Sequence, residues 1–371
     1  MKVVLLSGLD EPTPPRRYGS VETLVYCAAK ELVGLGHDVV VFATEDSAGA
    51  LDFCEFRPYQ LTRRGLRATD LTQAEADKFK LEITRLALQE ALALDADVIH
   101  NNLHTGFIAY AERIRKPSHM VTTCHWPFDS TVIGAAVRQA RGHRVLTISH
   151  AQQRRARMLG FKLSYTGTVY NCIAHERFEI APAQKTKHLS WVGRFDPRKG
   201  VSEAIAIAKK LDQPIVMAGK VDNYAFPYFK QIAEPLMAAH RGLVEYRGEV
   251  SQIEASEIMA ASSAFLMTTK YHESFGLVVI EAMAARTPVV ATSMGAMPEL
   301  VHDGVNGYVV PMLGDQIDID GFAEAVQACG SIRPETCRAY AEKFHPLQMA
   351  QGYVRAYETV TNSHMRRAYS A

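Results

Sequence analysis

The sequence predicts an α/β protein made of two doubly wound, parallel-sheet domains. Short apolar runs of strand length alternate with helical segments along the chain, and strands buried on both faces have this continuous apolar character. The chain of 371 residues is long for a single hydrophobic core, and the alternation restarts after a polar segment near its middle. We therefore expect one domain over residues 1–172 and a second over residues 188–345.

The composition is that of an ordinary globular protein, with 47% hydrophobic and 22% charged residues. A net charge of +1 gives no general attraction to nucleic acid. No apolar stretch approaches the roughly 20 residues that span a bilayer, and the apolar start of the chain meets acids and prolines too early for a signal peptide. The six cysteines are scattered without a C-x-x-C pair, which is typical of reduced thiols. We therefore expect a cytoplasmic protein without a nucleic-acid partner.

The first domain is predicted to begin with a βαβ unit. Residues 2–7 form an apolar strand, Ser20 can cap a helix that continues to about Leu35, and Gly36 ends this helix before a second strand over 38–43. Helices are predicted between most of the later strands, as a doubly wound sheet requires. The further strands predicted in this domain cover residues 97–101, 119–123, 144–149 and 167–170.

The second domain follows a polar segment over residues 173–187, which we interpret as the interdomain linker. The predicted strands cover residues 188–193, 214–219, 244–250, 264–269, 288–292 and 308–310. The predicted tail is helical over residues 319–329, 334–344 and 346–361.

One stretch of the second domain, Y-H-E-S-F-G-L-V-V-I-E over 271–281, combines a buried helix with a carboxylate. The helix over 276–285 is apolar nearly all round, so it is predicted to be buried. Glu281 within it is costly unless it has a partner, either a ligand with hydroxyl groups or an internal arginine or lysine. The turn over 274–277 leaves N–H groups at the helix start that suit a phosphate. A sugar nucleotide offers both the hydroxyls and the phosphate.

The same stretch carries a family resemblance. Glu273 and Glu281 form an E-x7-E pair within E-S-F-G-L-V-V-I-E-A-M-A, and P-V-V-A-T follows. This resembles the donor-binding motif of glycosyltransferase family 4, whose members are retaining enzymes of the GT-B fold. The resemblance is densest over 191–311 and weakest over 49–94. It implies two Rossmann-like domains that face each other across a cleft, the first for the acceptor and the second for the nucleotide sugar. It also implies that the last helix, about 347–361, packs back on the first domain.

The resemblance assigns roles to residues of the second domain. Glu273 is implied to be a catalytic residue that contacts the donor sugar, and Glu281 to hold the ribose hydroxyls. The loop G-R-F-x-x-x-K-G resembles the family's phosphate loop, and its Arg194 and Lys199 suit a diphosphate. Val250 is implied to lie beside the nucleotide base. The predicted donor-binding set is completed by the turn and helix start, Ser274, Phe275, Gly276, Leu277 and Val278.

Residues of the first domain are assigned in the same way. The proline-rich loop over 8–19 follows the first strand, at the sheet edge where open α/β sheets bind ligands. It resembles the family pattern P-P-x-x-Y-G-G-x-E with Ser20 at the second glycine, so Gly19 is the predicted donor contact and Ser20 is equally well explained as a helix cap. His125 ends another strand and resembles the family's strand-end histidine near the donor sugar, which makes it the second predicted catalytic residue. His100 and His104 are further candidates for acceptor contact.

The segment from 130 to 175 contains no acidic residue but seven cationic ones. Such a segment suits a negatively charged acceptor or peripheral contact with an anionic membrane, at the inner membrane face for a cytoplasmic protein. A solvated helix face explains it equally simply, and we favour that interpretation. The seven residues are Arg138, Arg141, Arg144, Arg154, Arg155, Arg157 and Lys162.

The sequence thus predicts a retaining glycosyltransferase that moves a hexose-type sugar from a UDP- or GDP-linked donor to a hydroxyl acceptor, which is a glycan, a lipid-linked sugar or a small molecule. No cofactor and no metal are expected, because Arg194 and Lys199 can neutralise the departing diphosphate. Two alternatives remain open, a GT-B sugar-nucleotide epimerase and a non-catalytic nucleotide-sugar binding protein. The sequence leaves the donor base, the sugar and the oligomeric state open.

Overall fold

The computed structural model describes residues 1–16, 19–66, 69–103, 119–129, 134–135, 137–138, 140, 142–178, 186–222 and 225–368. The chain divides into two compact units: unit 1 comprises Met1–Cys172 with Pro346–Ala371, and unit 2 comprises Ile173–His345. Within the described ranges, every helix is either too short or too polar to traverse a lipid bilayer. His104 and Arg141 of the sequence analysis lie outside the described residues, as does the middle of the predicted linker, 179–185.

Unit 1 is built on a seven-stranded parallel sheet in the order β3-β2-β1-β4-β5-β6-β7. The order reverses between β1 and β4, so ligands are expected at the carboxyl ends of these two strands. The strands are β1 Lys2–Leu6, β2 Asp38–Ala43, β3 Glu55–Pro58, β4 Val98–Asn101, β5 Met120–Cys124, β6 Arg144–Thr147 and β7 Ser164–Thr168. The main described helices of unit 1 are Ser20–Gly34, Gln73–Leu92, His150–Met158 and Pro346–Ala368.

The last strand of this sheet differs from the prediction over 167–170, because β7 spans Ser164–Thr168. It is an edge strand with partly exposed residues, so it lacks the continuous apolar run that marks the inner strands. Its pairing with β6 also shifts register between Val145 and Leu146. Val169, in the predicted range, follows the strand and its N–H donates to the Thr147 carbonyl oxygen at 2.9 Å.

A buried histidine connects the C-terminal helix to the sheet of unit 1. His100 is 1% exposed, with Nδ1 2.6 Å from the Tyr357 hydroxyl and Nε2 2.7 Å from Thr123 Oγ1. Burial, with a smaller contribution from His125, lowers the pKa of His100 to about 3, so the ring is neutral. Both ring nitrogens are therefore used inside unit 1, and the suggested acceptor contact of His100 is wrong.

Unit 2 is built on a six-stranded parallel sheet in the order β10-β9-β8-β11-β12-β13. The strands are β8 Leu189–Val192, β9 Ile215–Ala218, β10 Val244–Tyr246, β11 Ala264–Met267, β12 Val289–Thr292 and β13 Gly307–Val310, and a small antiparallel hairpin pairs β14 Met312–Leu313 with β15 Gln316–Ile317. The α-helices are Val201–Leu211, Phe226–Tyr228, Glu234–Ala239, Gln252–Ala261, Leu277–Ala284, Met297–Leu300, Ile319–Ala328 and Pro334–Ala341, with a π-helical turn Phe229–Ala233 between the second and third.

Two differences from the prediction in unit 2 concern the end of β10 and the start of the linker; the other predicted strands agree to within two residues at each end. Strand β10 ends at Tyr246 because Gly248, with φ +69°, turns the chain, so Val250 lies in the following loop. The predicted linker begins inside unit 2: the Ile173 N–H donates to the Phe344 carbonyl oxygen at 3.1 Å, and the short 3-10 helix His175–Phe178 follows. The two doubly wound parallel sheets themselves confirm the predicted fold class.

Candidate active site

The predicted site lies at the start of the buried helix Leu277–Ala284, after the carboxyl end of strand β11 in unit 2. The inner residues of this helix are fully covered, as the apolar sequence predicted: Val279, Ile280, Ala282, Met283 and Ala284. The preceding Gly276 has φ +95°, a conformation that favours glycine, and a Cβ there would lie 2.6 Å from Met297 Cε. This turn ends the run from strand β11 and presents the N–H groups of Leu277 and Val278 at the start of the helix. The next one, the Val279 N–H, donates to the Gly276 carbonyl oxygen at 3.0 Å. The partial positive charge at a helix start suits an anion.

Glu273, just before this turn, is held by two donors. Its Oε2 accepts from Lys199 Nζ at 2.7 Å and from the Tyr271 hydroxyl at 2.6 Å. Lys199 and Glu273 side chains are each 15% exposed. Burial by itself would raise the pKa of Glu273, but the Lys199 ammonium and the two hydrogen bonds outweigh it and hold that pKa below its usual value. Glu273 is therefore a carboxylate at neutral pH.

The loop that carries Lys199 is shaped by Thr268, which directly follows strand β11. Thr268 Oγ1 lies 2.9 Å from the carbonyl oxygens of both Lys199 and Gly200, to which it donates. Gly200 has φ +72°, and a Cβ there would lie 2.0 Å from the Thr268 carbonyl oxygen. Asp196 caps the turn by accepting from the Arg198 N–H at 2.9 Å. These contacts direct Lys199 towards Glu273, although the two residues are 74 positions apart in sequence.

The second predicted phosphate-binding cation, Arg194, also lies near a carboxylate. Its side chain is 44% exposed, and Nη1 is 3.5 Å from Asp222 Oδ2. Lys220 Nζ lies 2.5 Å from the other oxygen, Asp222 Oδ1. Sequence reasoning missed both Asp222 and Tyr271. A charged residue shortly after a strand end was a signal for Asp222, whereas no pattern in the sequence points to Tyr271.

Glu281 is partly exposed although its neighbours Ile280 and Ala282 are 0% exposed. A ligand contact requires this kind of access, so the structure is compatible with the role predicted for Glu281. Val250 is likewise partly exposed, directly before the Ser251 cap of the helix Gln252–Ala261.

Three glycines lie at the carboxyl ends of neighbouring strands in unit 2. Gly219 N–H donates to the Gly248 carbonyl oxygen at 2.8 Å. A Cβ on Gly219 would lie 1.8 Å from the Gly193 carbonyl oxygen, so this approach of the backbones requires glycine. Glycines Gly193, Gly219 and Gly248 thus place backbone instead of side chains after the ends of β8, β9 and β10. Gly248 lies two residues before Val250.

In unit 1, the carboxyl group of Glu22 occupies the space between Gly8 and Gly19. A Cβ on Gly8 would lie 2.0 Å from Glu22 Oε1, and one on Gly19 would lie 3.0 Å from Oε2 and 2.7 Å from Pro15 Cβ. Glu22 is 4% exposed. Burial raises its pKa to about 7; the backbone N–H of Glu22 itself and those of Glu11 and Asp10 partly oppose this, and the charge of Asp10 adds to it. The sequence analysis explained Gly19 by the close approach of a ligand, and the structure adds a second reason, the space that the Glu22 side chain needs. Glu22 itself was missed, although the family pattern ends in this glutamate.

The helix after this loop begins differently from the Ser20 cap that the sequence suggested. Gly19 is the N-cap, in extended conformation with φ −163°, and Ser20 is the first helical residue. Thr23 Oγ1 donates to the Gly19 carbonyl oxygen at 2.8 Å. The interpretation of Ser20 as the cap is therefore wrong by one position.

His125, which follows strand β5, presents an acceptor nitrogen. Its Nε2 lies 3.0 Å from Asn102 Oδ1, and Asn102 Nδ2 donates to the Leu6 carbonyl oxygen at 3.2 Å. Because the amide nitrogen is used by Leu6, the amide oxygen faces His125, and Nε2 must carry the proton. Burial lowers the pKa of His125 to about 3, so Nδ1 is unprotonated. Among the described residues, none forms a hydrogen bond with this buried Nδ1.

Several cations of the basic segment have partners inside unit 1. Arg155 Nη2 lies 3.2 Å from Asp129 Oδ2. The Arg157 guanidinium lies over the Tyr165 ring, and that of Arg138 over the Phe161 ring, each 5.3 Å from the ring centroid. At least three of the seven cations therefore have partners within unit 1, and the solvated helix face stays a prediction.

Two family models match the chain. Residues 173–343 match "Glycosyl transferases group 1", and residues 21–177 match "Glycosyltransferase Family 4". Among curated proteins, a phosphatidyl-myo-inositol mannosyltransferase of Mycobacterium leprae (strain TN) is 30% identical over 189 residues, which are 48% of this chain and 48% of that protein. The chain thus spans about half the length of the curated relatives it matches.

Solved structures resemble the chain over its full length. AviGT4, a glycosyltransferase involved in avilamycin A biosynthesis, has a TM-score of 0.69 and 19% identity and covers 98% of both chains. Anabaena Alr3699/HepE in complex with UDP and glucose has a TM-score of 0.65 and 20% identity and covers 100% of both chains. At such identities the likeness shows the fold. Because one family model matches most of each unit and the fold is shared, the chain belongs to the family 4, group 1 glycosyltransferases and has the GT-B fold.

Proposed function

We propose that the protein is a retaining glycosyltransferase that moves a hexose-type sugar from a nucleoside diphosphate sugar to a hydroxyl acceptor. The observation that carries this proposal is the contact between Lys199 and Glu273 beside the start of the helix Leu277–Ala284. It combines a cation, an ionised carboxylate and a helix N-terminus in a half-buried place. Family membership and the UDP and glucose bound by the Anabaena protein support a UDP-linked donor. A GDP-linked donor is the alternative to test.

In this proposal the diphosphate is bound by Arg194, Lys199 and the N–H groups of 275–278. The cations have carboxylate partners without the donor, so the diphosphate competes with Glu273 and Asp222 for them. Negative charge grows on the diphosphate as its bond to the sugar breaks, so these groups bind the transition state more tightly than the ground state. No metal is required for this neutralisation. Glu281 accepts hydrogen bonds from the ribose hydroxyls, and the backbone at Val250 lies beside the base.

The transfer step is proposed to occur on the face of the sugar from which the diphosphate leaves. The acceptor oxygen forms a bond to the anomeric carbon, the bond from that carbon to the β-phosphate oxygen breaks, and the acceptor proton passes to the departing phosphate. Glu273, ionised at neutral pH, contacts the donor sugar. In unit 1, Gly19 is proposed as a donor contact, and neutral His125 is proposed to accept a hydrogen bond at Nδ1 from a substrate hydroxyl. The configuration of the anomeric carbon is retained.

A panel of UDP- and GDP-sugars tests the proposal without knowledge of the acceptor. The wild type should bind one base preferentially in calorimetry and should slowly release nucleoside diphosphate, with a retained anomer seen by NMR. Lys199→Ala should lose most of this binding, whereas Lys210→Ala should not. Lys210 is a matched control because it is another lysine of unit 2 paired with a carboxylate, that of Asp320.

The alternatives give different results in the same panel. An epimerase would interconvert two nucleotide sugars, and a binding protein would bind one without turnover in the presence of any acceptor. Absence of binding to every nucleotide sugar and free nucleoside diphosphate would contradict the proposal as a whole.

A further inference from the structure

Tyr271 is in contact with the candidate site but has no role in the motif that identified it. Its hydroxyl lies 2.6 Å from Glu273 Oε2. The Lys199 ammonium lies 5.0 Å from the centroid of its ring, and the Arg198 guanidinium lies 5.3 Å from it. Burial first, and then the charge of Glu273, raise the pKa of Tyr271 far above its usual value. The hydroxyl is therefore protonated at neutral pH and donates to the carboxylate.

The two donors to Glu273 reach the same oxygen, Oε2. Lys199 is also a predicted ligand of the diphosphate, so donor binding would divide or remove its contact with Glu273. A half-buried carboxylate that loses its cation is driven towards protonation unless another donor remains. Tyr271 is neutral and has no comparable reason to leave, because a phenol attracts a diphosphate far less than an ammonium does.

We propose that Tyr271 is a positioning residue that keeps the Glu273 carboxylate ionised and oriented when Lys199 turns to the donor diphosphate. This inference rests on the function proposed above. Tyr271 acts through Glu273 and is not assigned a contact with the substrate. Its ring has a second effect, because it lies against both Lys199 and Arg198 and thereby orders the loop that carries them.

The variant Tyr271→Phe separates the hydroxyl from the ring. It keeps the ring contacts with Lys199 and Arg198 and removes only the hydrogen bond to Glu273. With the preferred nucleotide sugar from the panel, kcat should fall about 10- to 100-fold, the loss expected for a hydrogen bond to a charged group. KM for the donor should change less than about threefold, because Lys199 and Arg194 are intact.

The pH dependence of kcat distinguishes positioning from a merely structural role. Glu273 without the Tyr271 hydroxyl should protonate more easily, so the acidic limb of the profile should move up by about one pH unit. In Glu273→Gln this limb should be absent. Tyr357→Phe is the matched control, since it also removes a buried hydroxyl bonded to a titratable side chain, His100, but in unit 1. Its acidic limb should coincide with that of the wild type.

A second measurement needs no substrate. Unfolding free energies of Tyr271→Phe, Glu273→Gln and the double variant form a cycle that measures the coupling of the two side chains. The folded-state pKa of Glu273 is lowered, so its coupling should be fully present above the unfolded pKa near 4.5 and should disappear as the pH falls through the lower folded value. Zero coupling at pH 7 would overturn the inference.

The outcomes also separate the inference from the proposed function. If the wild type transfers sugar and Tyr271→Phe keeps both its kcat and its acidic limb, the role of Tyr271 is wrong and the function stands. If the wild type neither binds nor turns over any nucleotide sugar, the proposed function is wrong, and so is the role of Tyr271 in sugar transfer. A lower kcat with a shifted acidic limb and a measurable coupling supports both.

Discussion

Replacing Glu22 by glutamine should remove a pH dependence of stability that the wild type has between about pH 5 and pH 7. Glu22 is 4% exposed, and its carboxyl group fills the space between Gly8 and Gly19. Burial, reinforced by Asp10, raises its pKa from 4.5 to about 7. Glutamine has nearly the same shape and never ionises, so Glu22→Gln isolates the charge from the packing.

The sign follows from which state binds the proton. Between the unfolded pKa near 4.5 and the folded pKa near 7, the folded protein holds the proton of Glu22 and the unfolded chain has lost it. Stability is therefore fully present below the unfolded pKa and decreases as the pH rises through the folded pKa. At about 1.4 kcal/mol for each pH unit, the wild type should lose roughly 3 kcal/mol over this window. In Glu22→Gln, residue 22 does not ionise, so this part of the decrease in unfolding free energy should be absent.

Urea unfolding at pH 5, 6, 7 and 8 measures this directly. Other titrating groups are common to both proteins, so the difference between wild type and Glu22→Gln isolates Glu22 and should change by a few kcal/mol across the series. Glu31→Gln is the matched control, because Glu31 lies on the same helix, Ser20–Gly34, but is partly exposed. A difference between wild type and Glu22→Gln that stays constant from pH 5 to pH 8 would refute the reasoning.

Three other predictions concern the candidate site. Glu281→Ala should weaken nucleotide binding by about tenfold or more with little change in melting temperature; unchanged calorimetric binding would exclude the ribose role, and a large loss of melting temperature would indicate a structural ion pair instead. Turnover should persist in excess chelator because Arg194 and Lys199 supply positive charge, and complete, reversible loss would reject this. Gly295→Ala should reduce activity, because its Cβ would lie 2.2 Å from the Glu273 carbonyl oxygen. Gly314→Ala is the control and should keep full activity, because Gly314 has nearly the same φ (+63° against +62°) but open space around it. Equal activity of these two variants would show that the Glu273 backbone is not held by this loop.

The parts of the fold that sequence reasoning found are those with a continuous apolar signal. Inner strands such as β1 and β12 have buried residues throughout or nearly so, and their runs are visible in the sequence. The edge strand β3, Glu55–Pro58, was missed because it is short and at least partly exposed throughout, and the helix Gln73–Leu92 was expected only in general terms, without bounds. A signal for that helix was present: Thr72 and Glu75 form a capping box, in which each side chain bonds the backbone N–H of the other.

The site was only partly predictable for a different reason. Glu273, Lys199 and Arg194 could be proposed as site residues because each lies in a stretch that resembles a family motif. Their partners lie in other segments, and only the folded chain shows that Lys199 reaches across 74 positions to Glu273 or that Arg194 lies beside Asp222. The same is true of Glu22, whose altered pKa depends on burial by the loop and not on its neighbours in sequence.

The two predicted diphosphate ligands share one arrangement, which bears on what the site can bind. Lys199 faces Glu273, and Arg194 faces Asp222, so each cation is at least partly neutralised before a ligand arrives. A ligand that takes both cations must replace two carboxylates, and a diphosphate offers enough negative charge for this whereas an uncharged sugar does not. Each carboxylate also has a second donor, Tyr271 for Glu273 and Lys220 for Asp222. On the proposed function, donor binding is therefore an exchange of partners, after which Glu273 keeps Tyr271 and Asp222 keeps Lys220 as a donor.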